Sequence, residues 1–269
     1  MTDTEKSPGQ QLRPKRKRTR ATPLSENILT IDIGGSFIKA TVLSRDGVIL
    51  QEFNRSETPR HATPEAVMEV IRELCAGFHD YDKVSVGFPG YIKRGIVCTA
   101  PNLSTDLWKG INLNRLLTDV LNKPVRTIND ADLQGLGVVS EQGLEMVITL
   151  GTGFGTALLL DGHLLPHLEL AHHPVSNDET YDDFVGARAL QQHGEEIWNE
   201  RMQKVINVLK TVFNYDHLYI GGGNAAKLNF KMDDNVSIIT NVTGIIGGAR
   251  LWQLDDALFL KAANAFRNT

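Results

Sequence analysis

The sequence predicts an α/β protein made of two related halves that face one phosphate-binding cleft, and three observations carry that prediction. Residues 28–40 read as two apolar strands joined by a polar turn, Asp32-Ile33-Gly34-Gly35-Ser36. Residues 145–160 repeat the layout, strand, glycine-hydroxyl turn, strand, with Gly151-Thr152-Gly153 at the turn. Residues 125–128 form a short apolar run followed directly by Asn129 and Asp130. Carboxylates at the carboxyl end of a strand sit where open α/β sheets place their ligands.

The chemistry of the turns follows from their residue types. Glycine lets backbone N–H groups approach a ligand closely, and successive N–H groups in such a turn make a concave anion site. Two such turns can be offered to the same polyphosphate chain. Asp32, beside the first, is placed to hold Mg²⁺, which takes only one or two carboxylates and keeps most of its waters. The stretch is neither a Walker loop nor a dinucleotide fingerprint, since the lysine and the spaced glycines are missing. In isolation Gly34-Gly35 would be explained equally well by an ordinary hairpin turn.

Composition bounds the rest. At 269 residues the chain fits one large or two modest domains, and 41 % hydrophobic residues supply ample core. The expected division is a tail over 1–27, a phosphate-binding domain over 28–130 and a second domain over 131–269, whose last helix packs back on the first. No apolar run approaches a membrane span, and no apolar segment near the start suggests a secretory signal. Two cysteines, Cys75 and Cys98, exclude a disulfide framework and a cysteine zinc cluster. A reducing, cytoplasmic setting is the simplest inference. Residues 1–27 hold seven of the 28 basic groups and three of the 32 acidic ones, so a basic tail precedes an acidic body. The tail is polar, contains Pro8, Pro14 and Pro23, and is expected to be disordered. Its basic run, residues 14–20, suits a polyanion or a localisation signal, and a solvated tail is the simpler reading.

The remaining elements follow in order. Residues 47–53 read as a third antiparallel strand. Thr63-Pro64-Glu65 opens a helix, with Thr63 as cap and proline in the first turn. Val67, Ile71, Leu74, Cys75 and Phe78 recur at helical spacing and mark its buried face. Residues 83–90 are a strand ending in a tight turn, and residues 91–97 a further extended run. Asn102 and Trp108 read either as a binding loop or as a turn residue and a half-buried aromatic. Residues 113–121 are helical. Asn129 or Asp130 either faces a ligand or caps the helix over 131–139. Glu169 and His172 lie three apart, with His163, His167 and His173 nearby. A zinc site wants a fuller ligand set than this spacing offers, and hydrogen bonding to a polyol explains the Glu/His pair better. Residues 181–190 and 195–213 are helices. Residues 218–220 are a strand that meets Gly221-Gly222-Gly223-Asn224 and a helix, an arrangement suited to a nucleotide or phosphate. Residues 236–239 are a short strand, and residues 243–252 open a terminal helix in which Gly244, Gly247 and Gly248 allow tight packing.

Together these stretches resemble the ROK family of sugar kinases, within the actin/hexokinase-like (ribonuclease H-like) fold, two domains with an active-site cleft between them. The likeness runs from about Ile28 to the end of the chain. Within the family it looks nearest the polyphosphate glucokinase branch, on Phe154-Gly155-Thr156-Ala157 after the second turn, on Glu169-Leu170-Ala171-His172, on Thr180-Tyr181-Asp182-Asp183, and on the missing zinc cysteines. It departs from that branch at Ser176-Asn177-Asp178-Glu179, acidic where the branch is basic, and at Asp182, where the family has a sugar-contacting glutamate.

The resemblance implies transfer of a phosphoryl group from polyphosphate and/or ATP to the 6-hydroxyl of glucose. It implies Asp130 as general base, with Asn102, Asn129, Glu169, His172 and Asp182 on the sugar. Gly34, Gly35, Ser36, Lys39, Gly151, Thr152 and Gly153 would hold donor phosphates, Gly221, Gly222 and Gly223 the nucleotide, and Asp32 the Mg²⁺. No zinc is expected, nor a membrane or nucleic-acid partner; a homodimer is a family habit. The alternatives are an ATP-dependent kinase for another hexose or an N-acetylated amino sugar, and a non-catalytic sugar-binding or regulatory protein.

Overall fold

The computed structural model describes residues 26–240 and 244–254. Residues 1–25 of the tail, and residues 241–243 and 255–269 around the expected terminal helix, lie outside the described residues. The last two tail residues, expected to be disordered, are held instead, Glu26 by Lys83 Nζ at 2.6 Å and Asn27 N by Asp82 Oδ2 at 3.2 Å. The first sheet begins as an antiparallel meander, β1 (Ile28–Ile33), β2 (Phe37–Leu43) and β3 (Ile49–Glu57). Helix α1 (Pro64–Cys75) leads to β4 (Lys83–Phe88), which pairs parallel to β1. A small hairpin, β5 (Ile92–Lys93) and β6 (Ile96–Val97), then α2 (Thr105–Trp108) and α3 (Leu113–Leu121), precede β7 (Val125–Asn129), parallel to β4. The order is β3-β2-β1-β4-β7.

Helix α4 (Asp130–Val138) starts where β7 ends. The second sheet holds β8 (Leu144–Leu150), β9 (Phe154–Leu160) and β10 (His163–Leu164). After the hairpin β11 (Pro174–Ser176) and β12 (Glu179–Thr180), α5 (Tyr181–Val185) and α6 (Ala187–Phe213) lead to β13 (His217–Gly221) and β14 (Val236–Ile238). Its order, β10-β9-β8-β13-β14, repeats the first sheet position for position, antiparallel hairpin first and parallel strands after.

Local chemistry explains most elements. Strand β1 is buried along nearly its whole length, as a central strand covered on both faces must be. Thr63 caps α1 by accepting from Ala66 N at 3.2 Å, and Val67, Met68, Ile71, Leu74 and Cys75 form its buried face. Burial pushes the Cys75 thiol up to about 12, so it is a core residue. Asn177 and Asp178 both have φ above zero (41° and 66°), the two-residue turn that closes the hairpin β11–β12. The acidic linker is therefore a tight turn.

Several expectations are corrected. Trp108 is neither half-buried nor in a binding loop: it is fully buried, donates to Ala62 O at 2.8 Å and packs on Phe88 at 5.0 Å. Residues 91–97 are a hairpin turned at Arg94 and Gly95, both with positive φ. The helix expected over 181–190 breaks at Gly186, which is extended and whose successor's N–H donates to Thr152 O at 3.2 Å. Past the glycines of residues 221–223 comes only a 3-10 turn, Ala225–Lys227. In the described part of the terminal helix, residues 244–245 are helical, Ile246 is a turn, and Gly247–Arg250 is a short helix.

Helix α4 packs between the sheets, against β4 and β7 on one side and β8 and β9 on the other. The segment Gly247–Arg250 closes over α4 and β1. At Gly247 a Cβ would run into the Leu133 carbonyl, so only glycine allows that approach. Ser85 Oγ donates to Gly248 O at 2.6 Å and Arg126 Nη1 to Leu251 O at 2.9 Å. Among the described residues no helix is long and apolar enough to cross a membrane.

Candidate active site

The ends of β1, β4, β7 and β8 open on one cleft of about 580 Å³ between the two sheets. Every residue to which the resemblance assigned a role lines it except His172 and Gly221. His172 stands beside the cleft, half-exposed, with Nε2 3.6 Å from Glu169 Oε2. Gly221 faces Gln134 and Ile239 and is a packing residue, while Gly222 (φ +90°) and Gly223 line the cleft.

The first turn is held by its own bonds. Gly34 N donates to Phe37 O at 2.9 Å, Thr58 Oγ1 donates to Gly34 O at 2.7 Å, and Thr58 N donates to Ser36 O at 3.0 Å. Asn224 ties the second turn to the glycine run: its N donates to Leu150 O at 2.9 Å and its Nδ2 to Gly151 O at 3.2 Å. The two turns and the loop carrying Asn102 meet at Gly35, where a Cβ would lie 3.2 Å from Asn102 Cβ and 3.3 Å from Thr152 Oγ1. Asp182 accepts from Phe154 N at 2.6 Å, so its carboxylate braces the second turn.

Asn129 caps α4, accepting from Ala131 N at 2.8 Å and Asp132 N at 3.3 Å, while its Nδ2 donates to Gly90 O at 3.2 Å. Of the two sequence alternatives for this residue, the cap is therefore realised, at a position that also lines the cleft. Next to it Asp130 Oδ1 accepts from Ala131 N at 2.9 Å. Burial, then the charges of Asp32 and Asp132, push the Asp130 carboxyl up to about 7, against the pull of the Ala131 N–H and His167. A carboxylate near 7 is matched to taking a proton at neutral pH. Burial also raises Asp32, and Lys39, with Nζ 3.6 Å from Asp32 Oδ2, pulls it back.

Sequence reasoning passed over several residues here. Arg55, directly opposite Lys39 in the β2–β3 ladder, lines the cleft, as do Gln134, Gln191 and Asn224. Asp132 and His167 form a buried ion pair at 3.0 Å. Of the three histidines noted near Glu169 and His172, only His167 is in this cluster; His163 bonds to Asp161 O at 2.9 Å and His173 lies against Tyr181, ring centroids 6.3 Å apart. Asn224 had a signal, since it follows the glycine run. Arg55 had none, and His167 had only its nearness to Glu169 along the chain, because their partners are fixed by strand pairing and by packing.

Two sheets of the same topology, each giving a glycine turn to one cleft, define a duplicated fold of the actin/hexokinase-like class. The model of the ROK family matches residues 28–171, and the chain belongs to that family. It is 29 % identical over 246 residues to the polyphosphate glucokinase of Mycobacterium tuberculosis (strain H37Rv), covering 88 % of this chain and 91 % of that one. Among solved structures it is similar to the inorganic polyphosphate/ATP-glucomannokinase from Arthrobacter sp. strain KM, at TM-score 0.78 and 30 % identity, over 85 % of this chain and all (100 %) of that one. A ROK family glucokinase from Streptomyces griseus, in complex with glucose and AMPPNP, shares the fold at TM-score 0.70 and 19 % identity, over 84 % and 98 % of the two chains.

Proposed function

We propose that this protein is a sugar kinase that transfers a phosphoryl group from polyphosphate and/or ATP to the 6-hydroxyl of glucose. The observation that carries the reading is the convergence at Gly35 of both glycine turns and the Asn102 loop, in the cleft that also holds Asp130. The named activities of the mycobacterial and Arthrobacter relatives support it. Phosphoryl transfer needs little covalent chemistry from the protein, so positioning and charge dominate.

In this reading Asp130 accepts the hydroxyl proton, a role worth about 10²–10⁴ in rate. Asn102, Glu169, His172 and Asp182 hold sugar hydroxyls, with Asn129 steadying the start of α4. A site that bonds hydroxyls rejects an analogue lacking one, because its own polar groups are left unpaired. Gly34, Gly35 and Ser36 face the donor from one sheet, Gly151, Thr152 and Gly153 from the other, and Gly222 and Gly223 bound the nucleotide end. Lys39 and Arg55 supply positive charge beside the first turn. The residues fit a divalent cation: Asp32 and Asp130 are two partly buried carboxylates in one cleft, and loss of water raises both pKa values. Asp32 would hold Mg²⁺, which when bound supplies charge to the donor phosphates.

The test is phosphorylation of glucose with Mg²⁺, with ATP or long-chain polyphosphate as the only donor. Formation of glucose 6-phosphate with either donor supports the reading, and the difference between them names the donor. Absence of product with both overturns it.

A further inference from the structure

Behind the acceptor side of the cleft lie two shielded groups, Asp132 and His167, with no role in the scheme above. His167 Nδ1 is 3.0 Å from Asp132 Oδ2, and His167 Nε2 is 3.6 Å from Glu169 Oε1. The His167 and Asp132 side chains are only 8 % and 6 % exposed, and Tyr91 stacks on the imidazole with ring centroids 5.8 Å apart. Neither contact is aligned as a hydrogen bond, so the attraction is one of charge, and an imidazole with a carboxylate near each nitrogen attracts both only when both nitrogens carry protons. A neutral ring would turn a lone pair toward one carboxylate in a site shielded from water. Burial works against the charged ring, but the carboxylates of Asp132 and Glu169 outweigh it and push the imidazole up to about 10, which favours a cation between two anions.

The far end of the chain is the group that matters for the sugar. Glu169 Oε1 faces His167 and also accepts from Thr99 Oγ1 at 3.2 Å. Its other oxygen, Oε2, has His172 Nε2 at 3.6 Å. One oxygen is thus held by the protein from two sides while the carboxylate lines the cleft. Without the cation, Glu169 and Asp132 would be two carboxylates with nothing between them, and Glu169 would swing toward water.

We propose that His167, anchored by Asp132, is a positioning residue that fixes Glu169 with Oε2 presented to the hydroxyls of the sugar acceptor. This rests on the sugar-kinase reading. The charges of Asp132 and His167 also reach Asp130, so turnover can shift with them; the positioning role is read in glucose binding and in the KM for glucose against that for the donor.

The experiment compares His167→Gln, Asp132→Asn and Glu169→Gln in the full-length protein. Glucose binding is read by calorimetry without donor, and KM for glucose and for donor by steady-state turnover. His167→Gln and Asp132→Asn are each expected to weaken glucose binding and raise its KM roughly tenfold, as a shielded carboxylate loses the ion pair that holds it. Donor KM should stay within about twofold, which a general loosening of the fold would not respect. His167→Gln placed on Glu169→Gln should add little, because the two act as one unit. If His167→Gln does not fold, the near-isosteric Asp132→Asn carries the test. Unchanged glucose affinity in His167→Gln or Asp132→Asn, beside weakened affinity in Glu169→Gln, overturns the proposal and leaves the sugar reading standing. Unchanged affinity in Glu169→Gln removes Glu169 from the sugar and overturns the proposal, while product formation by the unmodified protein decides the sugar-kinase reading separately. Donor KM rising in step with glucose KM marks the pair as structural and also overturns the proposal.

Discussion

Gly35 of the first turn lies directly against Thr152 of the second, with room for a side-chain carbon only at 3.3 Å from Thr152 Oγ1. The contact joins the tips of two hairpins, β1–β2 and β8–β9, that belong to different sheets. It sets how closely the two halves can grip one donor.

Gly35→Ala therefore tests that spacing. The position carries no positive φ, so the backbone accepts alanine, but the new methyl would also meet Asn102 Cβ at 3.2 Å. Overpacking of this kind typically costs about 1–3 kcal/mol. We expect a folded protein whose kcat falls roughly tenfold or more, since a small misplacement at the reacting centre is expensive. Thermal melting and kcat together check it; a melting curve and a kcat both like wild type would show that the turns can part freely.

Asp130→Asn should bind glucose and lose turnover by about 10²–10⁴, the worth of a positioned base. Calorimetry for binding and initial rates for turnover separate the two effects. Near-normal turnover would remove Asp130 from its role.

The raised carboxyl of Asp130 also sets two pH dependences of known sign. The base must be ionised, so kcat/KM for glucose should rise with pH up to about 7 and then level off. Folding behaves in the opposite sense. A group whose pKa is raised in the folded state stabilises fully below its unfolded value, and that stability is lost as pH rises through about 7. Asp130→Asn should then be more stable than wild type at pH 8, by on the order of 1–3 kcal/mol, and close to wild type at pH 4. Denaturant melts at both pH values check it. Equal stability at pH 8 would mean that the buried charge is well compensated.

Trp108→Ala should destabilise the first sheet's core by about 3–5 kcal/mol, the usual cost of emptying a buried aromatic site. The loss includes the bond from Trp108 Nε1 to Ala62 O, which leaves a buried carbonyl unpaired. Donor and glucose KM of the folded fraction should stay near wild type, because Trp108 faces the core. A urea midpoint unchanged from wild type would contradict its placement.

Gly247→Ala should lift the segment Gly247–Arg250 off α4, where a methyl has no space beside the Leu133 carbonyl. Because α4 begins at Asp130, we expect kcat to fall along with the melting temperature. Loss of stability with unchanged kcat would show that the segment braces the fold without reaching the site.

What could be read from the sequence were features whose cause is local. The two glycine turns, Asp32 and Asp130 at their strand ends, the Thr63 cap and the buried face of α1 all follow from residue types a few positions apart. The same local reasoning overran where a single residue outweighed a period: Gly186 stops α5 because the next N–H is taken by Thr152 O, and Arg94-Gly95 folds an extended run into a hairpin.

Tertiary structure decided what depends on partners distant in sequence. It put Trp108 into the core, turned Asn129 into the cap of α4, and separated Gly221, which packs, from Gly222 and Gly223, which line the cleft. It brought Arg55 beside Lys39 by strand pairing and set His167 between Asp132 and Glu169. The physical reason is range. Turn geometry and helical period are fixed by neighbours along the chain, whereas burial and the charge of a group are fixed by whatever the folded chain packs around it.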